Sequence, residues 1–312
     1  MSTSSSNICS ASSPPESGLP APAPRPSRSA PRGWAARLAS AGLIAAAEVG
    51  ARAAFLMWRP RRRLAIDNIL RAGVRSDARG ARRLALASFR AFALMVAESI
   101  VLRRRLTDDR WSRHVQFDLS PEAEALLRTP GVGLLVASAH IGNWEVAARA
   151  ASLIKPVCAV YRPFNSSWLD RAALGLRSGE NLRLVSRREP DSMRFIRTLA
   201  DGEIVALMID QHASKGRVEV EFFGRPAWTT RAPAMLHLTT RAPLLVAWAI
   251  RTGPLRYVVQ AVGPVEVSRS GDREKDTRAL TQALTDVVER IARQYPEQYL
   301  WGHRRWKWRP AH

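Results

Sequence analysis

The chain has 312 residues, a formal net charge of +21 and a hydrophobic share of 46%. That share is enough to bury a core, so a wholly disordered chain is excluded and one large domain or two small ones are expected. The charge comes almost entirely from arginine; it favours nucleic acid, an anionic membrane or an acidic protein as partner and does not speak to the fold, and a GC-rich genome would leave the same bias.

Residues 1–33 are rich in Ser, Pro and Ala with almost no large apolar side chain. Such a segment cannot bury enough surface to offset its ordering entropy, so it is expected to be a disordered tail. It also lacks the apolar core of a signal peptide. The remainder, 34–312, is expected to form the functional domain, with 34–60 as an interfacial or anchoring helix. "LASAGLIAAAEVGARAAFLMW", Leu38 to Trp58, stands out as the membrane candidate. Its length matches the ~20 residues needed to span a bilayer. Glu48 and Arg52 interrupt it, four apart and able to pair on one helical face. A helix lying in the interface, a weak anchor and a core helix of a soluble domain all remain open. The "RPRRR" that follows, Arg59 to Arg63, would then meet anionic headgroups on the cytoplasmic side.

Residues 66–103 carry apolar side chains at three and four spacing and predict helix. Beyond them the pattern changes. β-branched apolar runs appear at "GVGLLVASA", "VCAVY", "LRLVS", "EIVALMI", "VEVEFF", "PLLVAWAI" and "YVVQAV". Helical patterns separate several of these, at 144–153, 191–200, 232–239 and 277–295; the last places Leu280, Leu284, Val287, Val288 and Ile291 on one stripe. Strands alternating with helices predict an α/β fold, a sheet with helices on its faces. In such sheets reactive groups collect at the carboxyl ends of the strands.

His140 falls at such an end, in "VASAHIGNWEVAA". Gly142 permits a tight turn, Asn143 can cap the helix that begins at Trp144, and Glu145 lies in the first helical turn, where a carboxylate is electrostatically favoured. From there the Glu145 side chain can fold back toward the imidazole. A carboxylate on one ring nitrogen fixes the tautomer and leaves the other nitrogen basic, able to take a proton from a hydroxyl within ~3 Å. The spacing alone is also that of an ordinary strand-to-helix corner. Neither cysteine (Cys9, Cys158) belongs to a CxxC pair, and no HExxH spacing occurs, so neither a disulfide framework nor a metal site is expected.

"SAHIGNWE" resembles the H-x4-E signature of the lysophospholipid acyltransferase superfamily, in the H-x-GNWE form typical of the late acyltransferases of lipid A biosynthesis. Further blocks follow in the family's order: "RRLAIDNIL" (Arg62 to Leu70), "YRPFNS" (Tyr161 to Ser166), "LRSGENLRLVS", "GEIVALMIDQH" and the closing "WGHRRWKWRP". The resemblance covers roughly residues 35–310. It implies a mixed central sheet flanked by helices, of the glycerol-3-phosphate acyltransferase kind, with an N-terminal membrane-associating segment at the cytoplasmic face of the inner membrane. It also implies transfer of a fatty acyl group from acyl carrier protein to a hydroxyl of a lipid A precursor or related glycolipid, without cofactor or acyl-enzyme. His140 is then the general base and Glu145 its orienter. Asn143, Arg162, Asn165, Arg177 and Asp210 are the implied substrate-binding residues, Arg177 through a bidentate hold on phosphate or donor and Asn143 or backbone amides as donors to the oxyanion.

Each has a plainer reading: Arg177 a solvated surface charge, Asp210 a cap or turn residue, Arg162 and Asn165 turn chemistry. Where the family often reads Asp-Gln-Asp, this chain has Asp210-Gln211-His212, so only Asp210 is carried over. Another bacterial lipid, such as a mannosylated phosphatidylinositol or an aminolipid, is an alternative acceptor. The Trp-rich and Arg-rich closing block also suits an interfacial anchor or a stacking platform for nucleic acid. No RNA-binding or zinc-finger signature accompanies it, and no nucleic-acid partner is expected. A serine hydrolase is disfavoured because no G-x-S-x-G elbow occurs.

Overall fold

The computed structural model describes residues 34–103, 105–106, 110–163, 166–177, 179–187 and 192–306. The tail at 1–33, expected to be disordered, lies outside them, as do Asn165 and the last residues of the closing block. Three helices come first: α1 (Trp34–Met57), α2 (Arg59–Arg71) and α3 (Ala78–Leu102). An alternation follows: β1 (Val115–Leu119), α4 (Pro121–Arg128), β2 (Leu134–Ser138), α5 (Trp144–Ser152), β3 (Val157–Tyr161), α6 (Ser167–Arg177), β4 (Leu182–Ser186), α7 (Ser192–Ala200) and β5 (Ile204–Met208). A hairpin, β6 (Arg217–Phe222) and β7 (Arg225–Thr230), leads to α8 (Ala232–Thr240), β8 (Leu244–Gly253), β9 (Arg256–Val262) and α9 (Arg273–Gln294).

Seven strands form one sheet in the order β1-β9-β8-β2-β5-β3-β4, and every neighbouring pair is parallel except β8 with β9. This is the mixed α/β sheet that the apolar runs predict. Central strands of such sheets are covered on both faces, which is why β2 reads as an unbroken apolar run. Leu134, Leu135 and Ala137 are fully buried. The predicted stripe of α9 faces inward, with Leu280, Leu284, Val287, Val288 and Ile291 all buried; each such side chain contributes roughly 1.5–3 kcal/mol.

Four elements were not predicted. β1 ("VQFDL") and β7 ("RPAWTT") are too polar for an apolar-run criterion. α4 and α6 are short, and α6 follows directly on a turn-rich stretch.

The N-terminal region departs from expectation in two ways. Among the described residues, the helix long and apolar enough to cross a bilayer by itself is α3, at a mean hydropathy of 1.7, with a third of that window buried. α1 qualifies only when joined to α2, from which it is bent by 91°; Trp58 is the break, and Pro60 opens α2 where a missing N–H costs nothing. Glu48 does pair with Arg52 as its spacing allows, at 4.0 Å, but it has a closer partner that the spacing does not reveal. Both its oxygens accept from Arg90 of α3, at 2.6 and 2.7 Å. The charge in the middle of α1 therefore clips α1 to α3.

The opening and closing blocks of the resemblance meet in space. Asn68 is buried and donates to the carbonyls of Trp301 and His303, at 2.8 and 2.9 Å. Arg61 donates to the Gly302 carbonyl at 2.8 Å, and Ser88 of α3 donates to the Tyr299 carbonyl.

Candidate active site

Sheet register builds the site. β2 and β5 are parallel neighbours paired from Leu134↔Ile204 to Ser138↔Met208. Each chain runs on two residues past the end of its strand, to His140 and to Asp210, which therefore stand side by side at the carboxyl edge. Asp210 Oδ1 accepts from the His140 Nδ1–H at 2.7 Å, and Oδ2 accepts from the His140 backbone N–H at 2.9 Å. The carboxylate thus holds both the ring and the main chain of the same residue.

Asp210 is buried. Burial alone would push its carboxyl up. The attraction and hydrogen bonds of His140, with His303 behind, outweigh that and hold it below the usual carboxylate range. An ionised carboxylate only accepts, so Nδ1 carries the ring proton and Nε2 presents its lone pair. The Gln211 side-chain amide donates to that nitrogen at 3.2 Å. On the inner side His303 is buried, with Nε2 2.9 Å from the Asp210 carbonyl oxygen, and burial pushes its imidazole below the ordinary value. On the outer side the His140 ring lies edge-on to Trp144 at 4.8 Å, and Trp144 stacks on Phe92 of α3. The His140 side chain keeps 16% of its surface open.

The carboxylate on the imidazole is therefore Asp210, and the expected Glu145–His140 contact is replaced by another. Glu145 Oε1 pairs with Arg177 Nη2 at 2.6 Å and accepts from the Trp144 indole N–H at 3.1 Å. Glu145 stands two residues into α5, and Arg177 is the last residue of α6. Both stay partly exposed, so the pair forms a rim beside the imidazole.

Asn143 also differs from expectation. It is fully buried, and its Oδ1 caps α5 by accepting from the Val146 N–H at 3.0 Å while facing the Ser99 hydroxyl at 3.1 Å. It shapes the turn and presents no amide to a substrate. Asp210, expected to bind substrate, is sealed behind the ring and positions it. Arg162 is exposed just past the end of β3, on the same edge of the sheet.

The turn between His140 and α5 is tightly constrained. Gly142 has a positive φ of 58°, and a Cβ there would fall 1.8 Å from the Ala249 carbonyl oxygen; glycine alone permits that approach. Asn143 N–H donates to this oxygen at 2.9 Å, and Gly142 N–H to the Gln298 carbonyl at 3.0 Å. Behind the turn, buried Glu98 of α3 accepts a guanidinium fork from Arg251 and a phenol hydrogen bond from Tyr257. A cavity of about 210 Å³, lined in part by Gly142, Met95, Arg251 and Gln298, adjoins this network; His140 does not line it. Among the described residues no three His, Cys, Asp or Glu are placed to hold a metal ion.

Gln211, His303 and Trp144 complete the surroundings of His140 and were not singled out as site residues. Gln211 is signalled only by adjacency to Asp210 in the "DQ" block.

Comparison with known proteins bears on this geometry. The family described as bacterial lipid A biosynthesis acyltransferase matches residues 42–308. The lipid A biosynthesis lauroyltransferase of Escherichia coli (strain K12) is 29% identical over 204 residues, 64% of this chain and 63% of that protein. The palmitoleoyltransferase of the same strain is 27% identical over 182 residues, 57% of each chain. The phosphatidylinositol mannoside acyltransferase of Mycobacterium tuberculosis (strain CDC 1551 / Oshkosh) is 30% identical over 167 residues, 50% of this chain and 49% of that one. The alignments span from 49% to 63% of the length of these relatives.

Proposed function

The chain belongs to the bacterial lipid A biosynthesis acyltransferase family, and from that premise we propose that it moves a fatty acyl group from acyl carrier protein to a hydroxyl of a lipid A precursor or related glycolipid. The observation that carries the chemistry is the hydrogen bond from His140 Nδ1 to buried Asp210, which leaves Nε2 as a base at the open edge of the sheet.

The acceptor hydroxyl replaces Gln211 at Nε2 and gives up its proton there. Its oxygen attacks the thioester carbonyl carbon directly. The carbon–sulfur bond breaks, and the departing thiolate takes the proton back from Nε2, so the base is restored. Asp210 stays ionised throughout and stabilises the imidazolium formed between the two steps. The Gln211 amide, displaced from the ring by the hydroxyl, becomes a donor beside the developing oxyanion, in the place expected of Asn143. Glu145 holds Arg177 at the rim, where the guanidinium and exposed Arg162 meet the phosphates of the donor or the acceptor. We assign residues 34–312 to the acyltransferase unit.

The positive surface suits the acidic carrier and a phosphorylated lipid, since complementary charge raises encounter rates. α1 to α3 bring the protein to the cytoplasmic face of the inner membrane; they expose Leu56, Met57 and Trp58 at one end and Phe92, Val96 and Ile100 along α3. A mannosylated phosphatidylinositol is a second acceptor reading, motivated by the similarity to the mycobacterial protein. The test is His140→Ala: acyl transfer, followed by mass spectrometry of the acceptor lipid, should fall by about 10²- to 10⁴-fold with the circular dichroism spectrum unchanged. Retention of most activity would rule the assignment out. Lipids from a deletion strain then decide between the two acceptors.

A further inference from the structure

Away from the sheet, α1 and α3 enclose a groove of about 450 Å³ lined by Arg52, Arg79, Arg82, Arg83, Phe55, Leu56 and Leu86. Its walls follow from helical spacing. Arg79, Arg82, Arg83 and Leu86 stand at i, i+3, i+4 and i+7 in the first turns of α3, so they share one face. Arg52 precedes Phe55 and Leu56 by one turn of α1. The Arg82 guanidinium lies over the Phe55 ring at 5.3 Å.

Of the groove arginines only Arg52 comes within reach of a carboxylate among the described residues, Glu48 at 4.0 Å, and the charge of Arg79, Arg82 and Arg83 is uncompensated. Residues 41–102 carry eleven arginines against four carboxylates, Glu48, Asp67, Asp77 and Glu98. None of the four lines the groove. Glu48 is held by Arg90 and Glu98 by Arg251, while Asp77 is spent on the N-cap of α3. Arginines at the start of a helix also oppose its dipole, which favours anions there; α3 has no acidic residue in its first turn. The Asp77 cap meets the helix end itself, and a bound anion would offset the arginine charge that remains.

The apolar floor decides which anion. Phe55, Leu56 and Leu86 offer nothing to a free phosphate, yet they match the first methylenes of an acyl chain. The surface continues outward through exposed Leu56, Met57 and Trp58. We propose that this groove binds the phosphate of an anionic bilayer phospholipid, with the arginines on the headgroup and the lipid's upper chain over Phe55, Leu56 and Leu86. Arg83 lies nine residues from Phe92, about 14 Å along α3, so the groove is separate from His140. The proposal does not depend on the chemistry at the base.

The test compares full-length wild type with Arg79→Gln/Arg83→Gln by co-sedimentation with vesicles of phosphatidylcholine alone and of phosphatidylcholine mixed with phosphatidylglycerol. Arg278→Gln/Arg290→Gln, on the exposed face of α9, removes equal charge elsewhere. The groove variant should lose roughly tenfold to thirtyfold in partitioning onto the mixed vesicles, and the α9 variant little. Arg79→Lys/Arg83→Lys should recover much of the loss and, with circular dichroism, shows that the fold is intact. Equal losses in the groove and α9 variants would mean diffuse attraction, and no loss in the groove variant would mean no site; either overturns the proposal. So would abolition of the difference by inorganic phosphate at the same phosphorus concentration, which would make the ligand a free anion. If the groove variant instead loses only binding to acyl carrier protein, the face docks a protein and the lipid assignment falls. A failed His140→Ala test would leave these vesicle results standing, so the two readings fail separately.

Discussion

The two sides of the His140 ring differ more than their shared charge suggests. On the inner side, Asp210 is buried and makes two hydrogen bonds to one residue, backed by His303. On the outer side, Glu145 is partly exposed and spends its charge on Arg177, itself partly exposed. Water competes with the outer pair and not with the inner one, so the inner contact is electrostatically stronger and geometrically fixed. A carboxylate that must fix a ring belongs where it cannot turn away. On the proposed function, Arg177 accepts and releases a phosphate, and a partly exposed pair leaves it free to exchange partners.

The comparison can be broken experimentally, and the largest effect should come from the inner side. Asp210→Asn keeps the shape but lets the ring adopt the wrong tautomer; we expect kcat to fall about 10³- to 10⁴-fold. Because the Asp210 carboxyl is held below the usual range, the wild-type pH–rate profile should show no Asp210 limb above about pH 4. Glu145→Gln should cost less, about 10- to 100-fold, mostly in KM, if it acts through Arg177 at the rim. A loss in kcat equal to that of Asp210→Asn would reverse the two roles. Asn143→Ala should cost about 2 kcal/mol in denaturant midpoint analysis, from the lost cap and the partner left to Ser99.

The smallest effect is on stability with pH. Burial keeps His303 and His114 below the ordinary imidazole value, so their neutral forms favour the fold fully above about pH 6.5, and that contribution is lost as the pH falls through it. The depressed Asp210 carboxyl adds stability above about pH 4 and loses it below. The thermal midpoint should therefore drop by a few degrees between pH 7.5 and pH 5.5 (roughly, for two titrating groups). A flat profile, followed by differential scanning calorimetry, would contradict the burial of His303 and the partial burial of His114.

The sequence made some of this legible and hid the rest for identifiable reasons. The β2 run and the glycine turn mark His140 as a strand-end residue, and the apolar stripe of α9 predicts which face it buries. Glu145 looked like the partner because it is near in sequence. Asp210 is seventy positions away, and only the placement of β5 beside β2 brings it in; strand order is a property of the sheet that local pattern does not carry. The sequence marks Asn143 as a cap, which it is, and the same hydrogen bonds remove it from the open side of the ring. The apolar spacing predicts only a helix over 66–103; that α3 is long and apolar enough to cross a bilayer emerges once its bounds are fixed at Ala78–Leu102.

The ties from Asn68 and Arg61 to residues 301–303, and from His303 to Asp210, have a consequence for synthesis. A growing polypeptide on the ribosome can form the helices and most of the sheet while the imidazole still lacks its backing. Only when residues 299–303 have emerged and folded back onto α2 and α3 does the His140 ring acquire its final setting, so on the proposed function nascent chains released before that point should be inert.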